Sequence, residues 1–313
     1  MRCMSMTPKL LIVTTFYNEE ERLQQTLNNM LEQSDTDFVH LIIDDGSTIN
    51  RADKIVEEYI SKCKHKVIFE KHKNAGINMV HMQAFQRTTE FNCTHFMWLD
   101  CGDGLQKNAV QIINKQIEKR PEFWFHLDGY YVSEKNSKKI RMSSRSYRPY
   151  LKKKDQFIPF CFSISTYGHF VIPYDIYKKF NPEFGMVDGF YYDAQIIGAL
   201  SLNGCPHYFI NQPLSIIEDD CHFSVSNATS SSYVQNVQKL AEFVVDDAEK
   251  RKRIFDISSG MYSISINKLV SIHYFKNRKN IKALKRFYKK NGVCFRDRYK
   301  CAALCILSIL HFC

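Results

Sequence analysis

The sequence predicts an α/β protein: a mostly parallel sheet flanked by helices, with a helical, basic C-terminal extension. Three observations carry this. Apolar runs of strand length alternate with helical periodicities through the first ~120 residues, two of those runs end in acids, and the excess positive charge is confined to one segment near the C-terminus.

KLLIVTTF reads as the first strand, and Leu23, Leu27, Met30 and Leu31 then recur at the spacing of an amphipathic helix. Asn18 followed by Glu21 predicts the N-cap of that helix. Strand 38–44, helix 50–62, strand 66–71, helix 76–90, strand 95–100 and helix 105–119 follow. Such alternation implies βαβ units, whose ligands bind outside the carboxyl ends of the strands.

From about 121 the pattern changes to strands near 124–131 and 160–172, a basic loop near 135–154, a helix around 190–203 ended by Gly204 and Pro206, and a strand near 207–217. This predicts a mixed extension of the sheet. After a Ser-rich stretch at 224–232 the chain reads as helical to its end, so the expected division is a domain over 8–226 and an extension over 227–313.

The composition, 44% hydrophobic and 24% charged with 12 Gly and 8 Pro, is that of a folded protein with a sizeable core. Eleven cysteines form an odd set without a CxxC pair or a Cys/His metal spacing, so reduced thiols in the cytoplasm are expected. The N-terminal apolar run is broken by Thr14 and Thr15 and followed by acids, which suits neither a secretory signal nor a membrane span.

The run LIIDDGST places Asp44 and Asp45 directly after a buried-strand pattern, where charge is costly unless something pairs with it. FMWLDCGD delivers Asp100 and Asp103 to the same edge, and TTFYNEE adds hydroxyl and amide groups from the first strand. No GxGxxG and no Walker A sequence is present, so a nucleotide bound here needs its phosphates neutralised another way. A divalent cation held by carboxylates does this, and Asp100 and Asp103 suit it.

TTFYNEEERL, LIIDDGST, HKNAGIN, WLDCGD and YYDAQIIGALSLNG, in this order, resemble glycosyltransferase family 2, over about residues 8–226. The resemblance implies a GT-A, Rossmann-like fold and an inverting transferase of a hexose or N-acetylhexosamine from a nucleotide sugar, UDP-linked by expectation. It implies that Thr15, Tyr17 and Glu19 meet the base and ribose, that Asp45, beside Asp44, hydrogen-bonds the uracil ring, and that Asn74 and Gly76 match the family's N-x-G. Asp100 matches the first acid of the metal motif. Gly102 stands where the family has a further acid, so binding of Mg²⁺ or Mn²⁺ either shifts to Asp103 or rests on Asp100 and water. His222, in CHFSVS, resembles a segment lying over the donor diphosphate and suits a third metal ligand, or is an ordinary polar residue.

Eleven residues before Gly204, Asp193 takes the place of the family's catalytic base, with Tyr192 replacing the usual Glu; a helix-start charge is the plainer reading, and Asp188 is the fallback. Val80-His81-Met82 replaces the family's Ala-Arg-Asn, leaving His81 as a weak stand-in for the arginine's charge. Ser47 reads as a turn cap.

The net charge of +10 equals the balance of 276–300 alone, where eleven Lys and Arg face only Asp297. Ile281, Leu284, Phe287 and Tyr288 form an apolar stripe in that segment, which suits an interfacial helix on an anionic membrane through 276–313, or packing on the main domain. The expected partners are a nucleotide sugar and a glycan or glycolipid acceptor in bacterial surface polysaccharide or lipopolysaccharide synthesis, at the cytoplasmic face of the membrane. The competing classes are a catalytically impaired nucleotide-binding relative and, against the absence of any known motif, a nucleic-acid binder.

Overall fold

The computed structural model describes residues 9–48, 51–133, 139–141, 169–178, 192, 196, 197, 200 and 205–219. The elements run β1 (Leu10–Phe16), α1 (Glu20–Leu31), β2 (Val39–Asp44), α2 (Ala52–Lys62), β3 (Lys66–Lys71), α3 (Ile77–Gln86), a 3₁₀ turn (Thr88–Phe91), β4 (His95–Trp98), β5 (Gly104–Leu105), α4 (Ala109–Lys119), β6 (Trp124–Ser133), β7 (Lys139–Arg141), β8 (Phe170–Pro173), α5 (Tyr174–Lys178) and β9 (His207–Asp219).

Among the described residues the strands lie in the order β3-β2-β1-β4-β8-β6-β9-β5, with β7 beside β6. The first four are mutually parallel. From β8 onward the sheet is mixed: β8 runs antiparallel to β4 and β6, β9 parallel to β6, and β5 antiparallel to β9. The parallel half is buried on both faces because β1 alternates between two cores. Leu10, Ile12 and Phe16 pack with Leu23, Leu27 and Met30 of α1, Val56 of α2 and Ile113 of α4. Leu11 and Val13 pack on the opposite side with Val80, Ala84 and Phe85 of α3. Each fully buried aliphatic side chain there contributes roughly 1.5–3 kcal/mol.

The structure shifts several expected boundaries. Helix 76–90 stops at Gln86, gives way to the 3₁₀ turn and ends at Asn92, whose φ of 58° leaves the helical region. Helix 105–119 begins only at Ala109, because Gly104 and Leu105 pair with β9. Strand 95–100 ends at Trp98, and the basic 135–154 stretch contains β7. Asn18 does not cap α1: Glu19 is the N-cap and makes no side-chain cap bond. Asn18 instead takes φ 54° and accepts hydrogen bonds from the amide and hydroxyl of Thr48, which latches the β1–α1 connection to the β2–α2 connection.

The expected helix around 190–203 is seen at Tyr192, Ile196, Ile197 and Leu200, all helical and fully buried in the core that contains Phe85 and Trp98. The 226/227 boundary, the extension 227–313 and its 276–313 segment lie outside the described residues. Among the described residues no helix is long and apolar enough to cross a membrane, and Cys63, Cys93, Cys101 and Cys205 are free thiols.

Under the sheet lies a polar relay. Thr14 Oγ1 meets His40 Nε2 at 3.1 Å, His40 Nδ1 meets the Tyr59 hydroxyl at 2.8 Å, and that hydroxyl meets His65 Nε2 at 2.6 Å. Burial pushes His40 down to about 3, helped by the neighbouring His65, and pushes His65 down to about 4. Burial does the same to His95, to about 4. Because these folded-state values lie below the ordinary 6.5, the unfolded chain binds more protons in acid. Their stabilising contribution is therefore complete above about pH 6.5 and is lost as pH falls toward 4, at up to ~1.4 kcal/mol per pH unit for each group. Thermal melts followed by circular dichroism are expected to show a steady midpoint from pH 8 to 7 and a steep fall between 6 and 4; an unchanged midpoint across that window would contradict neutral burial of these rings.

Candidate active site

The carboxyl ends of β1, β2 and β4 form one rim. Asp45 leaves β2 with its amide donating to Phe16 O at 2.9 Å, and its carboxylate turns toward the loop before α3. Oδ1 accepts from the Ala75 amide at 2.8 Å and Oδ2 from the Gly76 amide at 2.9 Å. Asp44 is likewise buried, and its Oδ1 accepts from the Ser47 amide at 2.7 Å. The cost of two acids at a strand end is thus met by backbone donors rather than by a cation. The turn cap is Asp44, while Ser47 Oγ accepts from the Asn18 amide.

Gly46 takes φ 79°, and a Cβ there would lie 2.6 Å from the Asn74 amide nitrogen. Its lack of a side chain is what lets the 74–76 loop close on Asp45. Gly76 also has positive φ, at 83°, immediately before α3.

Thr15 Oγ1 meets His81 Nε2 at 3.1 Å, and the same nitrogen lies 3.9 Å from Asp100 Oδ1. His81 is buried with its ring 5.5 Å from that of Trp98, and burial pushes it down to about 3. It is neutral, so it does not replace the family arginine's charge. Tyr17, by contrast, is 46% exposed just past the end of β1.

The acids of WLDCGD separate into two environments. Asp100 keeps 58% of its side-chain surface open, whereas Asp103 keeps 10%. Asp103 Oδ2 lies 3.2 Å from His169 Nε2, and His169 Nδ1 lies 2.9 Å from the fully buried Ser215 hydroxyl. This carboxylate–imidazole–hydroxyl row joins the turn after β4 to β8 and β9, and no spacing in the sequence announces it. The Asp100 carboxyl is pushed up to about 6, first by lost hydration and then by the charge of Asp103, with His169 and Arg22 opposing and Glu19 reinforcing.

The turn itself is a glycine turn. The Asp103 amide donates to Asp100 O at 3.0 Å, and Gly102 at the third position has φ 95°. Here the family's further acid would be strained. A polar stripe on α1 holds this turn. Thr26 Oγ1 accepts from the Gly102 amide and donates to Asp103 O, and Asn29 bonds both the amide and the carbonyl of Leu105. Gln33 donates to Gln106 O. Arg22 lies against Gly102, and Glu19 lies 3.5 Å from Arg22.

Tyr192, in the place of the family's Glu, is a core residue. Its ring packs edge-on against Trp98 at 6.1 Å and Phe85 at 6.4 Å, and its amide donates to Asn78 Oδ1 of α3 at 3.0 Å. The backbone just before position 193 is therefore tied to the helix that Asp45 secures. Asp193, Asp188 and His222 lie outside the described residues. The rim otherwise brings together Thr15, Tyr17, Glu19, Asp44, Asp45, Asn74, Gly76, Asp100 and Asp103.

Asp100 and Asp103 are hard oxygen donors of the kind Mg²⁺ and Mn²⁺ accept, and Mg²⁺ is commonly held by one or two carboxylates with water and substrate phosphate. A cation between them would offset the repulsion of Asp100 by Asp103, so the residues present fit one. Among the described residues no group of three or more His, Cys, Asp or Glu forms a closed metal cage.

Comparison with known proteins gives the fold its class, that of the GT-A glycosyltransferases. Staphylococcus aureus TarS residues 1–349, solved in complex with UDP-GlcNAc, superimposes with a TM-score of 0.59 at 15% identity, covering 93% of this chain and 77% of that one. The mannosyltransferase PcManGT of Pyrobaculum calidifontis, solved with GDP-Man and Mn²⁺, gives 0.54 at 8% identity over 92% of this chain and 84% of its own. The pattern of Glycosyl transferase family 2 matches residues 11–180, more than half of the chain, and the chain belongs to that family. A teichoic acid poly(glycerol phosphate) polymerase of Staphylococcus epidermidis is 31% identical over 103 residues, which is 33% of this chain and 14% of that relative. The chain thus spans only a small part of that relative's length.

The double acceptor at Asp45 has a measurable consequence. Asp45→Asn turns one accepting oxygen into a donor facing a backbone N–H, and the expected cost is about 1–3 kcal/mol in urea unfolding. Unchanged stability would show that the 75–76 amides do not depend on this carboxylate.

Proposed function

We propose that this glycosyltransferase moves a hexose or N-acetylhexosamine from a UDP-linked donor to a hydroxyl of a glycan or glycolipid in cell-surface polymer synthesis. The observation that carries the donor part is the rim itself: the exposed Tyr17 follows the β1 end to which Asp45 is hydrogen-bonded, and Thr15 of that strand is linked through His81 to the exposed Asp100 carboxylate. Likeness to a fold solved with UDP-GlcNAc supports the same donor class. The polymerase relative supports a surface-polymer acceptor.

In this reading Tyr17 stacks on the base, Thr15 and the remaining lone pairs of Asp45 meet its polar edge, and the Asn74–Gly76 loop borders the ribose. Asp100, with Asp103 behind it, faces the diphosphate. A bound Mg²⁺ or Mn²⁺ would supply charge to stabilise the departing UDP. Asp193 takes the proton of the acceptor hydroxyl as that oxygen bonds to the anomeric carbon. The bond from that carbon to the UDP oxygen breaks on the opposite face, inverting the centre.

Gly102 and Tyr192, the two departures that suggest an impaired relative, both have local structural roles: one is needed for the turn, the other anchors a helix. They give no reason to remove activity. Association of 276–313 with anionic lipid is part of the same proposal and would bring the enzyme to a lipid-linked acceptor.

Asp193→Asn is expected to lower turnover by ~10²–10⁴-fold while leaving UDP affinity nearly unchanged; full activity in steady-state assays would remove Asp193 from the reaction. A thermal-shift panel of UDP-GlcNAc, UDP-Glc and GDP-Man, each with and without Mn²⁺, reads the donor directly. A ligand at a hundred times its Kd stabilises by about 2.7 kcal/mol. Stabilisation by the UDP sugars above GDP-Man is expected, and no shift with any of them would reject the donor assignment.

A further inference from the structure

The rim has a charge problem. Glu19, Asp100 and Asp103 all sit near the place assigned to a diphosphate, and His81, in the position of the family's arginine, is neutral. Of the groups acting on Asp100, Arg22 is the permanent cation. Its location is set by the glycine turn. A Cβ built on Gly102 would lie 2.5 Å from Arg22 Nε and 2.6 Å from Nη2, so any larger residue at 102 would drive the guanidinium out of its present place. The side chain remains 30% exposed, and its contact with Glu19 is a long 3.5 Å.

We propose that Arg22 binds the donor diphosphate: the chain carries on α1, in space opened by Gly102, a permanent positive charge at the acidic rim. The proposal rests on the nucleotide-sugar reading above. The guanidinium offers a planar fork of donors that matches phosphate oxygens, and it stays charged at any working pH. The absence of a side chain at 102 is what leaves room for the guanidinium. Thr26 and Asn29, one and two turns further along α1, hold the Gly102–Leu105 backbone against the helix that carries Arg22.

The test is calorimetry of the full chain with UDP, with and without Mn²⁺, beside saturation-transfer NMR with uridine, which lacks the phosphates. Arg22→Gln is expected to weaken UDP binding by about tenfold or more while uridine binding stays within about twofold. Arg22→Lys should fall between, because it keeps the charge and loses the fork. Thermal melts confirm that each variant is folded, and Arg22→Lys carries the comparison should Arg22→Gln not fold. Wild-type UDP affinity in Arg22→Gln, or parallel loss of UDP and uridine, overturns the proposal. Failure of the wild-type chain to bind UDP at all removes the nucleotide-sugar reading and this proposal with it; UDP binding by the wild type that is insensitive to Arg22 removes only the latter.

Discussion

The carboxylate of Asp45 is the constraint on which the rim depends. Its amide is spent on β1 and its two oxygens on the loop before α3, so one residue fixes three consecutive parts of the parallel half at their carboxyl ends. The arrangement needs a close approach of two backbones, which is why Gly46 has no alternative. Everything further out follows: α3 starts where Gly76 releases it, His81 on that helix reaches Thr15, and Asn78 on the same helix receives the amide of Tyr192. The rim and the backbone at Tyr192, just before the candidate base, are therefore connected through one short helix.

A second, independent support comes from α1. Its apolar stripe docks it on the sheet, while Arg22, Thr26 and Asn29, spaced at i, i+4 and i+7, and Gln33 just past its end, face the 100–106 segment. The turn that presents Asp100 is irregular backbone, and such backbone keeps one shape only if its polar groups are matched. The polar stripe performs that matching. Asp100 is thus held by a helix far from it in sequence, and Asp103 by two strands farther still.

The strands of the first hundred residues were readable because each is an unbroken apolar run, and the converging acids were readable because they terminate those runs. What each acid touches was not. Asp45 reads as a ligand of a base ring, and the sequence did not announce that each of its oxygens also accepts a backbone amide from the loop before α3. Asn18 reads as a cap and is instead a latch, since positive φ turns its side chain toward Thr48. His169 and Ser215 carry no local signal, being 66 and 46 residues from the groups they meet. Gly102 reads as a lost ligand, when its φ shows a requirement of the turn.

One end of the sheet bears on how the molecule behaves in a crowd. Among the described residues β3 is the outermost strand, with exposed Lys66 and Lys71 at its two ends. Arg87 braces it from behind α3 through a two-pronged contact with Glu70, at 2.7 and 2.9 Å, and Glu70 also meets His72. An outer strand of mixed charge and firmly anchored side chains is a poor template for a foreign strand, because recruiting one would mean stripping water from lysines and opening a bidentate pair. The border of the sheet is thereby a poor site for edge-to-edge pairing with a further strand.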